Sequence, residues 1–341
     1  GSGNESLAHK YFSTAMISAA VVSVCFAVFG AIFFDPMMYA LGADTTNIEL
    51  VRGYGLCYTV SAPLFIFSSS LQSFIRNDKS PRHAMIAVLT GSGLNILLDY
   101  LFIFVFKMGM FGASFATSIG TSITVCILVI HFFTKKNTMR FSFRFFSIKA
   151  LWEIAKCGFS SFLIECANAV LVFVFNHTLL KYIGSVGVTV YSIMSNVAVV
   201  CMSLFNGVTL AAQPIIATNH GADNHKRVLQ VRHIGTITSS VIAVIIFCVG
   251  FFFPDLLIYS YVKGPTPEIL ELARYALRIY FFAYLFMNFN IFFSGYFQST
   301  LRPVAAITIQ ILRSLLLSSV LVSVLPMIFG ADAIWYAVPI T

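Results

Sequence analysis

The stretch YFSTAMISAAVVSVCFAVFGAIFF, residues 11–34, contains no charged residue and is long enough to cross a lipid bilayer. A spanning helix needs about 20 predominantly apolar residues. A second charge-free stretch, IAVIIFCVGFFF, occupies residues 242–253. The two stretches align when the chain is shifted by about 220 residues. Gly30 then matches Gly250, and when the shift is increased by two residues Arg52 matches Arg274. The chain is therefore predicted to be a membrane protein built from two related halves.

The composition excludes a water-soluble domain. Hydrophobic residues make up 58% of the chain and charged residues only 10%, whereas a soluble domain carries about 25% charged residues. The mean hydropathy is +0.88. The seven cysteines show no metal-ligand spacing and lie in or beside apolar stretches, so we interpret them as buried small side chains. We expect no cofactor.

Apolar segments of spanning length predict nine membrane helices and the start of a tenth. They cover residues 11–34, 50–73, 84–106, 112–133, 157–180, 186–212, 234–259, 271–296 and 304–328, with the tenth beginning near residue 332. Lysines and arginines concentrate in alternate loops, which the positive-inside rule places in the cytoplasm. These loops hold fourteen of the 21 basic residues: Lys10, Arg76, Lys79, Arg82, Lys135, Lys136, Arg140, Arg144, Lys149, Lys156, Lys226, Arg227, Arg232 and Arg302. The net charge of +8 thus reflects topology, and no nucleic-acid partner is expected.

The repeat also predicts the domain organisation. We expect a first helical bundle over residues 1–133, a basic cytoplasmic linker over 134–156 and a second bundle over 157–341. The second copy of the repeat begins at Gly221, after a helix pair at 157–212, so the first half is expected to have a matching pair upstream of Gly1. Likewise, the last span is expected to continue beyond Thr341. A repeat of an even number of helices gives both halves one orientation, related by a pseudo-two-fold axis along the membrane normal.

Several stretches resemble the multidrug and toxin extrusion (MATE) family of membrane transporters. The resemblance rests on their order and spacing along nearly the whole chain. They are LNILLDYLFIF (94–104), GMFGASFATS (109–118), CGFSSFLIECANAVLVFVFNHTLLKYIG (157–184), AAQPIIATNHGADNHKRV (211–228), YFQSTLRP (296–303) and FGADAIWYAVPIT (329–341). The resemblance implies an antiporter in the plasma membrane that expels amphipathic organic cations by alternating access, in exchange for H⁺ or Na⁺. The resemblance implies no enzymatic activity.

Asp99 is the first candidate for coupling transport to an ion. Charged groups inside membrane spans are costly and usually functional. Asn95 lies one turn before Asp99 on the same helical face, and Thr117 on the next helix completes an oxygen-rich set. Such oxygens suit a hard cation such as Na⁺, and a partly desolvated carboxylate suits a proton. The second half has Leu321 opposite Asp99, so the repeated scaffold does not require this polar set. In the family, matching Asn, Asp and Thr positions form a cation site.

Other polar residues in the second half are weaker candidates. Glu165, with Asn168 one turn further on, is either a coupling carboxylate or a structural one; some branches of the family have a functional Glu about one turn later. Arg313 aligns with Gly91 of the first half and either pairs with Glu165 or faces a cavity. On the eighth predicted span, polar and aromatic residues either line a substrate cavity or simply pack the helices: Tyr284, Asn288 and Asn290.

The main alternative is a lipid-linked saccharide flippase, a transporter from a related superfamily with the same helix architecture. A flippase is expected to carry a strongly cationic cavity for pyrophosphate, whereas Asp99 and Glu165 favour cations. An integral-membrane enzyme would need a cluster of catalytic polar groups, and neither a P-loop nor a nucleophile elbow is present. The expected partners are a small organic substrate, H⁺ or Na⁺ and the lipid bilayer, and we expect a monomer.

Overall fold

The computed structural model describes residues 5–40, 48–134 and 137–341, and every regular element within these ranges is helical. Gly1, Lys135 and Lys136, used in the repeat and topology predictions, lie outside the described residues. The first half contains α1 (Glu5–Ile32), α2 (Phe34–Ala40), α3 (Ile48–Val60), α4 (Ala62–Asn77), α5 (Pro81–Tyr100) and α6 (Gly109–Ile130). The rest contains α7 (Ile148–Tyr182), α8 (Ser185–Gly221), α9 (His225–Phe252), α10 (Pro254–Tyr261), α11 (Pro267–Ser299), α12 (Pro303–Gln310), α13 (Ser319–Phe329) and α14 (Ala337–Ile340).

The spans agree with the sequence prediction. Within the described ranges, eight helices are long and apolar enough to cross a membrane, and the count is nine if α3 and α4, which bend by 46° at their junction, form one broken span. Pro63 lies in the first turn of α4, where a missing backbone N–H costs no helical hydrogen bond. The bend therefore falls where a proline is best tolerated.

The chain divides into two compact units, and the boundary between them along the sequence falls between Ala155 and Lys156. Helix α7 begins at Ile148, inside the segment predicted as a linker, and continues into the second unit. Lys149 and Glu153 are spaced four residues apart in this early part of α7, a spacing that supports a helix. Residues 148–156 of the predicted linker are therefore helical.

The duplication is visible in matching helix contacts. Gly30 of α1 lies against Thr59 of α3: a Cβ at Gly30 would be 2.5 Å from the Thr59 Cγ2. Gly250 of α9 lies in the same way against Phe281 of α11, where a Cβ would be 1.9 Å from a ring carbon. In each half, a glycine gives the following long helix room to approach closely.

Each half also carries the same ion pair at the outer end of these helices. The guanidinium of Arg52 binds the Asp35 carboxylate through two hydrogen bonds, with Nε 2.8 Å from Oδ1. Arg274 binds Asp255 in the same bidentate way, at 2.5 and 2.7 Å. In both pairs, the hydrogen bond from the arginine lowers the pKa of the Asp side chain below its ordinary value. We refer to these two ion pairs as the outer clasps.

A buried polar cluster lies at the end of the first half opposite to its outer clasp, where α4 and α6 end. The Asp78 carboxylate, just after α4, lies 2.8 Å from the His131 Nε2 at the end of α6, and both side chains are buried. It also accepts hydrogen bonds from the backbone N–H and the hydroxyl of Thr138. The loop after α4 and the segment after α6 therefore lie on one face, as the charge pattern predicts.

Candidate functional site

The polar residues predicted to form a cation site lie where α5 and α6 approach most closely. Gly91 and Gly120 face each other at this crossing: a Cβ at Gly91 would be 2.6 Å from the Gly120 carbonyl oxygen, and a Cβ at Gly120 would be 2.9 Å from the Asn95 Cβ. Only residues without a side chain allow two helix backbones to come this close. The glycines thereby bring the polar face of α5 against α6.

This crossing places Asn95 in contact with Thr117. The Asn95 side-chain amide donates a hydrogen bond to the Thr117 Oγ1 at 3.3 Å, and that hydroxyl donates to the Ala113 carbonyl at 3.0 Å. Both side chains are half-buried. The structure therefore joins two members of the predicted set across two helices, although they lie 22 positions apart in the chain.

Asp99 lies one helical turn beyond Asn95 and is also half-buried. Its Oδ1 atom is buried and has no hydrogen-bond partner in the described part of the chain. A buried oxygen without a donor is costly, particularly on a carboxylate. The π-helical turn Leu101–Val105 follows almost at once, and such turns inside α-helices are frequent at functional sites. A proton or a cation on Asp99 would remove this cost.

The donor set suits a small hard cation. Asp99, Asn95 and Thr117 offer carboxylate, amide and hydroxyl oxygens, which Na⁺ prefers to sulfur or imidazole ligands. Among the described residues, no group of three or more His, Cys, Asp or Glu side chains is placed to hold a metal ion. Among the described residues, no hydrogen bond joins the Asp99 Oδ1 to Asn95 or Thr117. The three residues therefore lie on facing parts of α5 and α6 without forming a closed hydrogen-bond network.

The second-half candidates are more dispersed. On α7, Glu165 is exposed and Asn168 is half-buried. None of the ion pairs within the described ranges joins Glu165 to Arg313, so the predicted pairing of these residues is not seen. Arg313 is instead buried in the π-helical segment Ile311–Ser318.

Asn288 of α11 holds two helices together. It is fully buried, its amide donates to the Leu285 carbonyl at 2.7 Å, and its Oδ1 accepts a hydrogen bond from Ser239 of α9 at 3.2 Å. Asn290 is half-buried on another side of α11. Tyr284 is fully buried within the core of the second half. These hydrogen bonds are of the kind that the helix-packing alternative predicts for Asn288.

Sequence reasoning missed the polar contacts that join distant segments. Asp78 and His131 lie 53 residues apart, and no periodicity links them. The outer clasps, in contrast, could be predicted from the sequence, because Asp35 and Asp255 are separated by the same offset of about 220 residues that aligns the two halves. A search for repeated charges of opposite sign would have found them.

Comparisons with known proteins agree with this architecture. The family model MatE matches residues 1–101 and 157–324. The chain belongs to the MatE family. The multidrug export protein MepA of Staphylococcus haemolyticus (strain JCSC1435) is 26% identical over 330 residues, which cover 96% of this chain and 72% of MepA. MepA of Staphylococcus aureus (strain MSSA476) is 24% identical over 314 residues, which cover 89% of this chain and 67% of that MepA.

Solved structures support the same fold. An outward-facing multidrug resistance MATE family transporter of the MOP superfamily superposes with a TM-score of 0.91 at 20% identity, covering 98% of this chain and 75% of that protein. A MATE protein solved in complex with MaL6 superposes with a TM-score of 0.92 at 19% identity, covering 99% of this chain and 76% of that protein. The predicted fold class is confirmed: this MatE chain is an all-α, multi-pass membrane protein of two helical repeats.

Proposed function

We propose that this MatE protein is a secondary antiporter that exports amphipathic organic cations in exchange for H⁺ or Na⁺. The relatives named above are multidrug export proteins, which favours export over the flippase alternative. The observation that carries the proposal is the buried Asp99 Oδ1, which has no hydrogen-bond partner among the described residues and lies one helical turn from the Asn95–Thr117 contact. The proposed coupling site is thus Asn95, Asp99 and Thr117.

The chemistry of coupling follows from this arrangement. An ionised Asp99 within the span attracts a cation, and neutralising it by H⁺ or Na⁺ removes the cost of a partly buried negative charge. A ligand shifts a conformational equilibrium only through its different affinities for the two states. The ion and the organic cation therefore exchange when each binds preferentially to a different state of alternating access.

Asp99→Asn in the full-length protein tests this proposal. The amide keeps the shape of the carboxyl group but carries no negative charge and takes up no proton. Reconstituted in proteoliposomes with an imposed H⁺ or Na⁺ gradient, the variant is expected to lose ion-driven efflux of a fluorescent organic cation while inserting normally. The H⁺ and Na⁺ gradients are applied separately, so the wild-type result also identifies the coupling ion.

Leu321→Ala is the matched control, because Leu321 occupies the position in the second half that corresponds to Asp99. Leu321 is partly buried against the second-half core, so this change is expected to cost some stability while leaving coupling intact. Wild-type efflux by Asp99→Asn under both gradients would assign Asp99 a structural role instead.

A further inference from the structure

An apolar cavity of about 540 Å³ lies at the end of the first half where α1 begins and α6 ends. Its walls come from α1, α4, α6 and the segment after α6, and all thirteen residues that line it are apolar. Its volume falls within the range of about 300–1,000 Å³ that is typical of ligand-binding pockets. Because apolar cavities of this kind stay dry, a hydrocarbon chain suits this one better than water does.

The shape of the cavity matches one leaflet of a bilayer. Its rim is open, since Phe133 is 86% exposed, Phe143 is 75% exposed and Val21 is 59% exposed. Along α1 the lining runs from Phe12 to Val21, a length of about 14 Å at 1.5 Å per residue. This length is about half of the hydrocarbon core, which is about 30 Å thick. The cavity therefore has the length that an acyl chain occupies within a single leaflet.

Hydrogen bonds to α1 hold the segment after α6 beside this cavity. The buried Ser13 hydroxyl donates to the Arg140 carbonyl at 3.4 Å and accepts from the Ser142 backbone N–H at 3.1 Å. The ring of Phe141 packs edge-on against the ring of Phe12, with 6.5 Å between the centroids. Both of these phenylalanines line the cavity. Direct contacts thus fix the segment that carries Arg140 at the border of the cavity.

This segment gives the border a positive charge. Residues 137–152 contain three basic residues and no acidic residue. Arg140 and Arg144 are exposed, and they adjoin the cavity residues Phe141 and Phe143 in the chain. The charge pattern predicts that this face is cytoplasmic, and the cytoplasmic leaflet carries the anionic lipids that attract such residues. The fork of an arginine also matches the oxygens of a phosphate group. The border therefore complements an anionic lipid headgroup.

We propose that the cavity binds an acyl chain of an anionic phospholipid whose phosphate contacts Arg140 and Arg144. We call the cavity and these two arginines the lipid site. The cavity alone would accept any hydrocarbon, and the arginines alone would attract any phosphate. Their adjacency selects a molecule that carries both groups. The lipid site lies within the first half and does not depend on coupling at Asp99.

The test compares phosphatidylglycerol with phosphatidylcholine, each carrying the same palmitoyl and oleoyl chains. Native mass spectrometry of the full-length protein, delipidated in neutral detergent, gives the fraction of protein with bound lipid at each lipid concentration. Wild type is expected to bind phosphatidylglycerol at least about fivefold more tightly, because the choline group cancels the phosphate charge of the other lipid. Arg140→Gln combined with Arg144→Gln is expected to weaken phosphatidylglycerol binding about tenfold and to leave phosphatidylcholine binding within about twofold.

Ala20→Phe tests the apolar part of the lipid site. Ala20 lines the cavity, so a phenyl ring at this position would occupy the space of the acyl chain. Binding of both lipids is expected to weaken about fivefold or more. Val22→Phe is the matched control on the same helix, because Val22 is 62% exposed and lies outside the lining. Its affinities for both lipids are expected to stay within about twofold of wild type.

A second pair of basic residues controls for charge. Lys226 and Arg227 are exposed in another loop that is predicted to be cytoplasmic, and Lys226→Gln combined with Arg227→Gln is expected to keep wild-type affinity for phosphatidylglycerol. Equal losses in the two charge variants, or no loss in the arginine variant, would overturn the proposal. So would wild-type binding by Ala20→Phe, since it would show that the chain itself fills the cavity. The arginine variant changes only exposed side chains, so its result stands even where Ala20→Phe lowers the unfolding temperature.

Discussion

Gly91→Ala perturbs the closest approach of α5 and α6 without touching any polar side chain of the proposed coupling site. The added Cβ would lie 1.8 Å from the Thr124 Oγ1 and 2.6 Å from the Gly120 carbonyl oxygen. The threonine hydroxyl has some freedom to rotate, but the carbonyl belongs to the middle of α6 and also accepts the Thr124 hydrogen bond. The helices must therefore move apart.

The size of this movement sets the expected effect. Real Cβ atoms almost never approach another atom within 3.0 Å, so the carbonyl oxygen must recede by at least about 0.4 Å from its 2.6 Å position. Overpacking of this kind costs about 1–3 kcal/mol. At about 1.4 °C per kcal/mol for a chain of 341 residues, the Tm is expected to fall by about 1–4 °C. The Asn95–Thr117 hydrogen bond, already 3.3 Å long, would be broken.

Gly93→Ala is the matched control on the same helix. A Cβ at Gly93 meets nothing within 4 Å, and replacing a helical glycine by alanine favours the helix by about 0.5–1 kcal/mol. Thermal unfolding of both variants in one detergent, followed by circular dichroism, measures the difference, and gradient-driven efflux measures coupling. If Gly91→Ala unfolds within 1 °C of Gly93→Ala, the close crossing of α5 and α6 described above is wrong.

Two further predictions concern the ends of the spans. Asp78→Ala removes the carboxylate that joins the loop after α4 to the segment after α6. Trypsin is then expected to cut after Arg140 several times faster than in wild type. An unchanged rate of cleavage would show that the Asp78 hydrogen bonds do not hold this segment in place. In the outer clasp of the second half, the hydrogen bond from Arg274 lowers the pKa of Asp255. The ion pair therefore stabilises the fold at pH values above the ordinary Asp pKa of about 3.9. This stabilisation is lost as the pH falls through the lowered pKa of Asp255. The small difference in Tm between wild type and Asp255→Asn should thus stay constant from about pH 5 to 8 and shrink towards zero as the pH falls through the lowered pKa of Asp255, whereas a difference that grows in acid would contradict the ion pair.

The sequence predicted the features that depend on periodic hydrophobicity and on the repeat. The prediction of the spans follows from apolar length, which the bilayer thickness imposes, and the prediction of their orientation follows from the basic loops. The contact between Asn95 and Thr117 was also predictable, since consecutive membrane helices commonly pack side by side.

Contacts fixed by side-chain geometry could not be predicted in the same way. The proximity of His131 to Asp78 depends on how α6 ends, and the burial of Arg313 depends on a π-helical segment that no pattern of residue types announces. The early start of α7 was predictable, because Lys149 and Glu153 already have helical spacing. The predicted linker boundary followed charge rather than this spacing.

The outer clasps bear on the ancestry of the chain. The same aspartate–arginine pair and the same glycine contact occur in both halves, so parsimony places them in a single-copy ancestor that existed before the gene was duplicated. Asp99 and Arg313 have no such twins, and their positions diverged after that event. Duplication thus left each copy free to change its chemistry at one of these positions while the inherited packing preserved the architecture of both.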